Sequence, residues 1–189
     1  MDPLAFRLKH LSDQRMRAVL EAAAKQFGWK PVRTPSRRGV GMACGVIYKT
    51  YVATVAEIDV DRKTGAVRVK RVVTAVDPGT IVNPEGARQQ VEGCITMGVG
   101  YALSEEVQFS KGEVLTRNFD SYEIPRFSVI PKMEVVLIDN REYLPDGLGE
   151  PPIITMGAAI ANAIFDKTGA RLLQLPMTPD RVKQALQRS

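Results

Sequence analysis

Two valine-rich runs joined by a short polar loop constrain this chain most. Residues 42–60 and 66–76 are β-rich, and Asp61-Arg62-Lys63-Thr64-Gly65 between them has the composition of a hairpin loop. Val67, Val69 and Val73 alternate with Arg68 and Lys70, which predicts a sheet with one wet face. Residues 132–139 supply a further strand, with Met133, Val135 and Leu137 on one side and Val136 and Ile138 on the other, a pattern that suits cover on both faces. Strands and helices are intermixed without regular βαβ alternation, so the expected class is α+β, a mixed sheet and hairpins with packed helices. No internal repeat is visible.

The helical segments follow from periodicity and caps. Residues 12–27 read as an amphipathic helix with Ser12 as N-cap, Met16, Val19, Leu20, Ala23 and Phe27 on one face and Gly28 as the stop. Residues 29–39, with Pro31, Pro35 and Ser36, read as a linker, which divides an N-terminal helix and basic linker (1–38) from the remainder (39–189). Asn83-Pro84 starts a helix predicted to reach about Leu103. Gly93, Gly98 and Gly100 lie inside it. Each costs roughly 1 kcal/mol against alanine, so each needs a reason: a ligand nearby, or a second helix packed closely. Residues 106–109 and 112–115 form a short hairpin, followed by an irregular stretch through Asn118 and Tyr122. Residues 156–167 form a helix ended by Gly169, and Thr178-Pro179-Asp180 opens a last short one.

Composition removes several kinds of chemistry. A 44% hydrophobic and 25% charged chain of 189 residues is ordinary for a globular protein, and no run reaches the roughly 18 apolar residues of a membrane span. The start, Met1-Asp2-Pro3-Leu4, lacks a signal-peptide pattern, so the expected setting is cytoplasmic rather than periplasmic. His10 is the only histidine, which excludes Ser-His-Asp and Cys-His catalysis. Cys44 and Cys94 have neither iron–sulfur nor zinc spacing and read as reduced thiols. A net charge of +5 is dispersed except for Arg33 to Arg38 in a Pro/Ser/Thr loop; no nucleic-acid motif accompanies it. A phosphate-bearing small molecule or an acidic partner would satisfy it.

The loop Asp146-Gly147-Leu148-Gly149-Glu150-Pro151-Pro152 sets one carboxylate between two glycines and two prolines ahead of a helix. The glycines allow unusual backbone conformations and close approach of a bulky ligand, and the prolines stiffen the exit. A carboxylate held this way can act as a general base. On these residues alone, a surface turn with its glutamate in water is an equally open reading.

Taken together, Gln89-Gln90-Val91-Glu92-Gly93, Asn118-Phe119-x-x-Tyr122-x-x-Pro125, Gly147-Leu148-Gly149-Glu150-Pro151 and Ala161-Asn162-Ala163-Ile164 resemble the molybdopterin-binding subunit of the xanthine dehydrogenase and aldehyde oxidase family, in order and in spacing. Asp2-Pro3-Leu4-x-Phe6-Arg7-Leu8, Val76-Asp77-x-Gly79-x-x-Val82-Asn83-Pro84, Thr168-Gly169-x-Arg171 and Leu175-Pro176-x-Thr178-Pro179 extend the likeness over nearly the whole chain. Within the family it looks like the isoquinoline oxidoreductase type.

The resemblance implies the C-terminal portion of a molybdenum cofactor-binding domain, and hydroxylation of a small aldehyde or nitrogen heterocycle with water as oxygen donor. It implies molybdopterin, in plain or cytosine dinucleotide form, whose dithiolene rather than any protein side chain holds the molybdenum. Glu150 matches the glutamate that takes a proton from the attacking hydroxyl. Gln90 matches the glutamine that hydrogen-bonds the cofactor, with Gln89 a weaker candidate. Gly93, Cys94, Gly147 and Gly149 then lie beside the pterin, and the helix after Glu150 offers N–H groups to its negative charge. Tyr122 and Asn118 belong to the scaffold.

Upstream segments that complete such a site, the iron–sulfur cysteines and a flavin domain are absent from these residues. The implied partners are the remainder of the subunit, an iron–sulfur subunit, and a second copy through exposed interfaces. The chain is expected to be inactive alone, with Glu150 exposed. The competing reading is a non-catalytic scaffold or assembly fragment of the same fold.

Overall fold

The computed structural model describes residues 1–188. Its centre is a sheet of β1 (Val40–Ile47), β2 (Thr50–Val60), β3 (Val67–Asp77) and β6 (Lys132–Leu137) in the order β1-β2-β3-β6. The first pairings are antiparallel hairpins and the last, β3 with β6, is parallel. The fold is therefore α+β with a mixed sheet. The Asp61–Gly65 loop closes the β2–β3 hairpin as expected, the Asp61 amide donating to the Ala66 carbonyl at 2.9 Å and Gly65 taking φ +81°. Residues 42–60, read as one run, are two strands: Tyr48 at φ +54° and Lys49 reverse the chain in a turn too tight to leave a polar gap in the sequence.

Both faces of the sheet are covered. On one lies α2 (Gln14–Phe27), burying Met16, Val19, Leu20 and Ala23 against Met42, Ala53, Val55 and Ala75. On the other lie α3 (Pro84–Leu103) and α4 (Met156–Thr168), whose Val91, Ile95, Val99, Ile160 and Ile164 pack on Val52, Ala56, Val72 and Val76. Each fully buried Val, Leu or Ile contributes roughly 1.5–3 kcal/mol of apolar transfer, so these contacts carry the fold. β6 divides as its sequence pattern predicts, Met133, Val135 and Leu137 toward the α3/α4 side and Val136 and Ile138 toward α2. The expected wet face of β3 survives only near the hairpin, where Arg68 and Lys70 are exposed. Beyond the bulge at Glu57/Ile58 every residue from Val72 to Asp77 is buried, because α2 covers the face that the first residues leave open.

Three further departures have local causes. The opening residues form α1 (Pro3–His10), capped by Asp2, whose carboxylate accepts from the Ala5 amide and, 27 residues on, from the Trp29 indole at 3.0 Å. Helix α2 is capped by Asp13 rather than Ser12, the Asp13 side chain accepting from the Met16 amide at 3.0 Å. Residues 29–39 are not a free linker. The buried Asp166 carboxylate accepts from the Ser36 amide (2.8 Å), the Ser36 hydroxyl (2.8 Å), the Gly39 amide (3.0 Å) and the Val40 amide (3.1 Å), and so ties this segment to α4. The remaining elements fall where the sequence places them: a short β4–β5 hairpin (Phe109–Ser110 and Glu113–Val114), and α5 (Pro179–Gln187) capped by Thr178.

Candidate functional site

Helix α3 and the Glu150 loop meet at one atom. The Gln90 side-chain amide donates to the Gly149 carbonyl at 2.9 Å, and the Cys94 thiol donates to the same oxygen at 3.3 Å. Gln90 and Cys94 are one helical turn apart, so both point along the same stripe of α3. Two side chains 59 and 55 residues away from their partner in sequence are thereby joined to it directly beside Glu150. Burial pushes the Cys94 thiol pKa up; hydrogen bonding to Gln90 and Ile153 pulls the other way, and the Glu150 carboxylate adds to the upward push. Cys94 is a neutral donor, suited to a carbonyl.

The upstream half of the loop is pinned independently. Asp146 accepts from the Lys49 amide at 2.7 Å and from the Gly147 amide at 2.8 Å, and its own amide donates to the Pro78 carbonyl at 2.8 Å. The Thr50 hydroxyl donates to the Gly147 carbonyl at 2.7 Å. Pro78 in turn follows Asp77, a buried carboxylate gripped by Arg15 at 2.6 Å while Arg15 lies between the rings of Tyr51 and Tyr143. Burial opposes ionisation of Asp77, but Arg15 and the Gly79 amide outweigh it and hold its pKa below the usual carboxylate value. Neither Asp146 nor Thr50 is among the site residues that the sequence suggests. Asp146 stands in the loop motif itself and could have been found there, whereas Thr50 carries no signal because its partner is distant in sequence.

Glu150 is exposed, and its carboxylate makes no hydrogen bond or ion pair among the described residues. Gln89 is likewise exposed and reaches none of the loop residues. Tyr122 donates to Glu105 at 2.8 Å, and Asn118 accepts from the Phe119 amide at 2.8 Å in its own turn.

The glycines separate by cause. A Cβ on Gly98 would stand 2.5 Å from Met156 Cγ, so close packing of α3 on α4 requires that glycine. A Cβ added at Gly93, Gly147 or Gly149 would meet nothing within 4 Å. The expectation that Gly147 and Gly149 serve unusual backbone angles is wrong: neither has positive φ, because the hydrogen bonds to Thr50, Gln90 and Cys94 are met in ordinary conformations. All three positions are exposed, so packing within the chain does not require glycine at them. A groove of about 340 Å³ runs between the start of α3 and this loop, bordered by Asn83, Gly86, Gln90, Asp146, Leu148 and Gly149.

At the amino end of α4, expected to offer N–H groups to a ligand, one of those groups is already taken. Met156 and Gly157 are buried, and the Gly157 amide donates to the Tyr101 hydroxyl at 2.8 Å. Among the described residues no cluster of His, Cys, Asp and Glu could hold a metal ion.

Residues 8–131 match the molybdopterin cofactor-binding domain family, and the chain belongs to it. Glu150 lies beyond that match, but the likeness to individual relatives continues across it. The chain is 37% identical over 202 aligned residues to a nicotinate dehydrogenase subunit of Pseudomonas putida, covering 98% of this chain and 17% of that protein. It is 37% identical over 183 residues to the beta subunit of isoquinoline 1-oxidoreductase from Brevundimonas diminuta, covering 94% and 23%. The crystal structure of quinoline 2-oxidoreductase from Pseudomonas putida 86 superposes with a TM-score of 0.67 at 27% identity, over 73% of this chain and 19% of that one. Two Escherichia coli relatives, each 36% identical over 72% and 70% of this chain, are named as the molybdenum-binding subunits of an aldehyde oxidoreductase and a xanthine dehydrogenase, and the chain spans about a fifth of the length of the proteins it matches.

Proposed function

We propose that this chain forms one wall of a molybdenum hydroxylase site, with Glu150 as the general base and Gln90 as the residue that hydrogen-bonds the pterin. The observation that carries the proposal is the shared Gly149 carbonyl, which sets Gln90 and Cys94 against the peptide leading into Glu150. The residues present fit one side of a pterin: an exposed amide able to donate and accept, and open glycines at 93, 147 and 149 where any side chain would fill the space. The cofactor, in plain or cytosine dinucleotide form, supplies the redox chemistry when bound. Gln90 orients it, Gly93 and Gly149 admit it, and Glu150 removes a proton from the hydroxyl that attacks the substrate carbon. Substrates are small aldehydes or nitrogen heterocycles, as the names of the relatives suggest.

The rest of the subunit supplies the opposite wall and buries Glu150. Its contact is the apolar stretch of Val107, Phe109, Phe119, Ile124 and Phe127, which this chain leaves exposed, Phe119 at 84% and Phe127 at 94%. An iron–sulfur subunit takes the electrons onward. The isolated chain holds no molybdenum and turns over no substrate; stoichiometric metal and hydroxylase activity in the purified 189-residue chain would sink that part of the proposal. In the complete cofactor-loaded subunit, Glu150→Gln is expected to lower kcat by about 100-fold or more, the usual contribution of a positioned base. Activity within about tenfold of the unaltered enzyme argues for the scaffold reading instead.

A further inference from the structure

We infer that Tyr101 is a positioning residue for Glu150, acting through the single 3-10 turn Pro151–Ile153. The inference rests on the reading of Glu150 as the base. Helix α4 begins without a side-chain cap, although Thr155 stands at the capping position and threonine is a favoured residue there. Its hydroxyl is committed elsewhere: Thr155 Oγ1 pairs with Thr54 Oγ1 at 2.7 Å, and Thr54 Oγ1 pairs with Thr74 Oγ1 at 3.0 Å, a buried hydroxyl chain that fastens the start of α4 to β2 and β3.

The cap is supplied from another helix. Tyr101 Oη, projecting from α3, accepts from the Gly157 amide at 2.8 Å and donates to the Ile153 carbonyl at 3.0 Å. One hydroxyl thus satisfies an orphan donor of α4 and holds the last residue of the turn that Glu150 opens. The Ile153 amide returns to the Glu150 carbonyl at 3.0 Å, so Tyr101 is linked to the Glu150 backbone through that turn. Gly157 is part of the same device, since a Cβ there would stand 3.0 Å from Tyr101 Cε2 and 3.1 Å from its hydroxyl.

Helix α3 therefore holds the segment on both sides of Glu150. Gln90 and Cys94 fix the preceding carbonyl, and Tyr101 fixes the turn that follows. Pro151 and Pro152 are buried, and their fixed φ limits how far the turn can relax by itself. What remains free is rotation of the whole turn about its junction with α4, and the Tyr101 hydroxyl blocks that motion. The Glu150 side chain, exposed and without a hydrogen bond or ion pair among the described residues, is placed by its backbone.

The test is Tyr101→Phe, which keeps the ring and deletes only the hydroxyl. In the 189-residue chain, amide hydrogen exchange at Gly157 should rise about tenfold or more while Ala163 and Ile164, in the middle of α4, keep their protection. Unchanged exchange at Gly157 overturns the inference. In the complete cofactor-loaded subunit, Tyr101→Phe should lower kcat about tenfold or more with KM within about twofold, the signature of a misplaced base rather than of lost substrate binding. Combined with Glu150→Gln, it should cost no further activity, because the base it positions is gone. Full activity of Tyr101→Phe beside an inactive Glu150→Gln overturns the inference and leaves the base assignment standing. Full activity of Glu150→Gln overturns the base assignment and the inference with it.

Discussion

Two glycines on α3, five residues apart, should respond to the same substitution with opposite sign. Replacing glycine by alanine in a helix interior gains about 1 kcal/mol from backbone entropy alone. At Gly93 nothing lies within 4 Å of the added methyl, so the gain is realised and Gly93→Ala should stabilise the chain by about 0.5–1 kcal/mol. At Gly98 the methyl would sit 2.5 Å from Met156 Cγ and 2.6 Å from Met156 Cβ. A Cβ atom cannot rotate away, and Met156 is fully buried at the first turn of α4, so relief requires moving that helix. Overpacking of this kind costs about 1–3 kcal/mol or more, which outweighs the entropy term. Gly98→Ala should therefore destabilise by about 1–2 kcal/mol net. With a urea slope of about 2 kcal/mol per molar, the two midpoints move apart by roughly 1 M, Gly93→Ala above the unaltered chain and Gly98→Ala below it. A Gly98→Ala midpoint at or above that of the unaltered chain, with an unchanged slope, refutes the packing argument. A fall for Gly93→Ala refutes the claim that its surroundings are open.

Asp166 collects four hydrogen bonds from Ser36, Gly39 and Val40 while almost fully buried, so Asp166→Ala strands these donors at about 1–3 kcal/mol each and, at about 2–4 °C per kcal/mol, should lower the melting temperature by about 10 °C or more; a shift under about 2 °C by differential scanning calorimetry counts against that accounting. Glu134, bonded first by Arg71 and then by Gln26, has its pKa held down from 4.5 to about 2. A depressed carboxylate stabilises the fold above its unfolded pKa, so the advantage of the unaltered chain over Glu134→Gln should be complete above 4.5 and fade as the pH falls toward 2. Urea midpoints of both proteins at neutral pH and near pH 3 check this, and a gap that widens on acidification contradicts the sign.

The fold was legible where side-chain pattern and backbone agree. β6 shows its two-sided alternation, Asn83-Pro84 its cap, and Gly169 its left-handed stop, because each depends on residues adjacent in sequence. Illegible features depend on partners far away. Nothing near Arg33 to Arg38 announces that Asp166, 130 residues on from Ser36, holds the loop, and a Pro/Ser/Arg composition reads as a linker. The Tyr48-Lys49 turn was hidden because no glycine marks its left-handed residue. At the site, Gln90, Cys94 and Gly149 were drawn together by family likeness, and their contact at one carbonyl oxygen is a fact of the structure. Tyr101 and Thr50 carried no motif at all. Their hydroxyls act on backbone atoms, so their role is set by tertiary position rather than by local sequence.

This division has a physical basis that bears on why a piece of a larger subunit can keep a well-formed loop. The residues that shape the Glu150 segment, Gln90, Cys94, Tyr101, Asp146 and Thr50, all act on main-chain atoms within the chain and sit on elements rooted in its two apolar clusters. By contrast, the Glu150 carboxylate, Gln89 and the open faces of Gly93, Gly147 and Gly149 are exposed and have no side-chain partner among the described residues. A fold in which the backbone of a reactive loop is fixed internally while its reactive side chain is left open pays the entropic cost of ordering that loop at folding rather than at ligand binding. On the proposed reading of Glu150 as the base, the loss from disturbing the loop should appear in turnover rather than in folding of this chain.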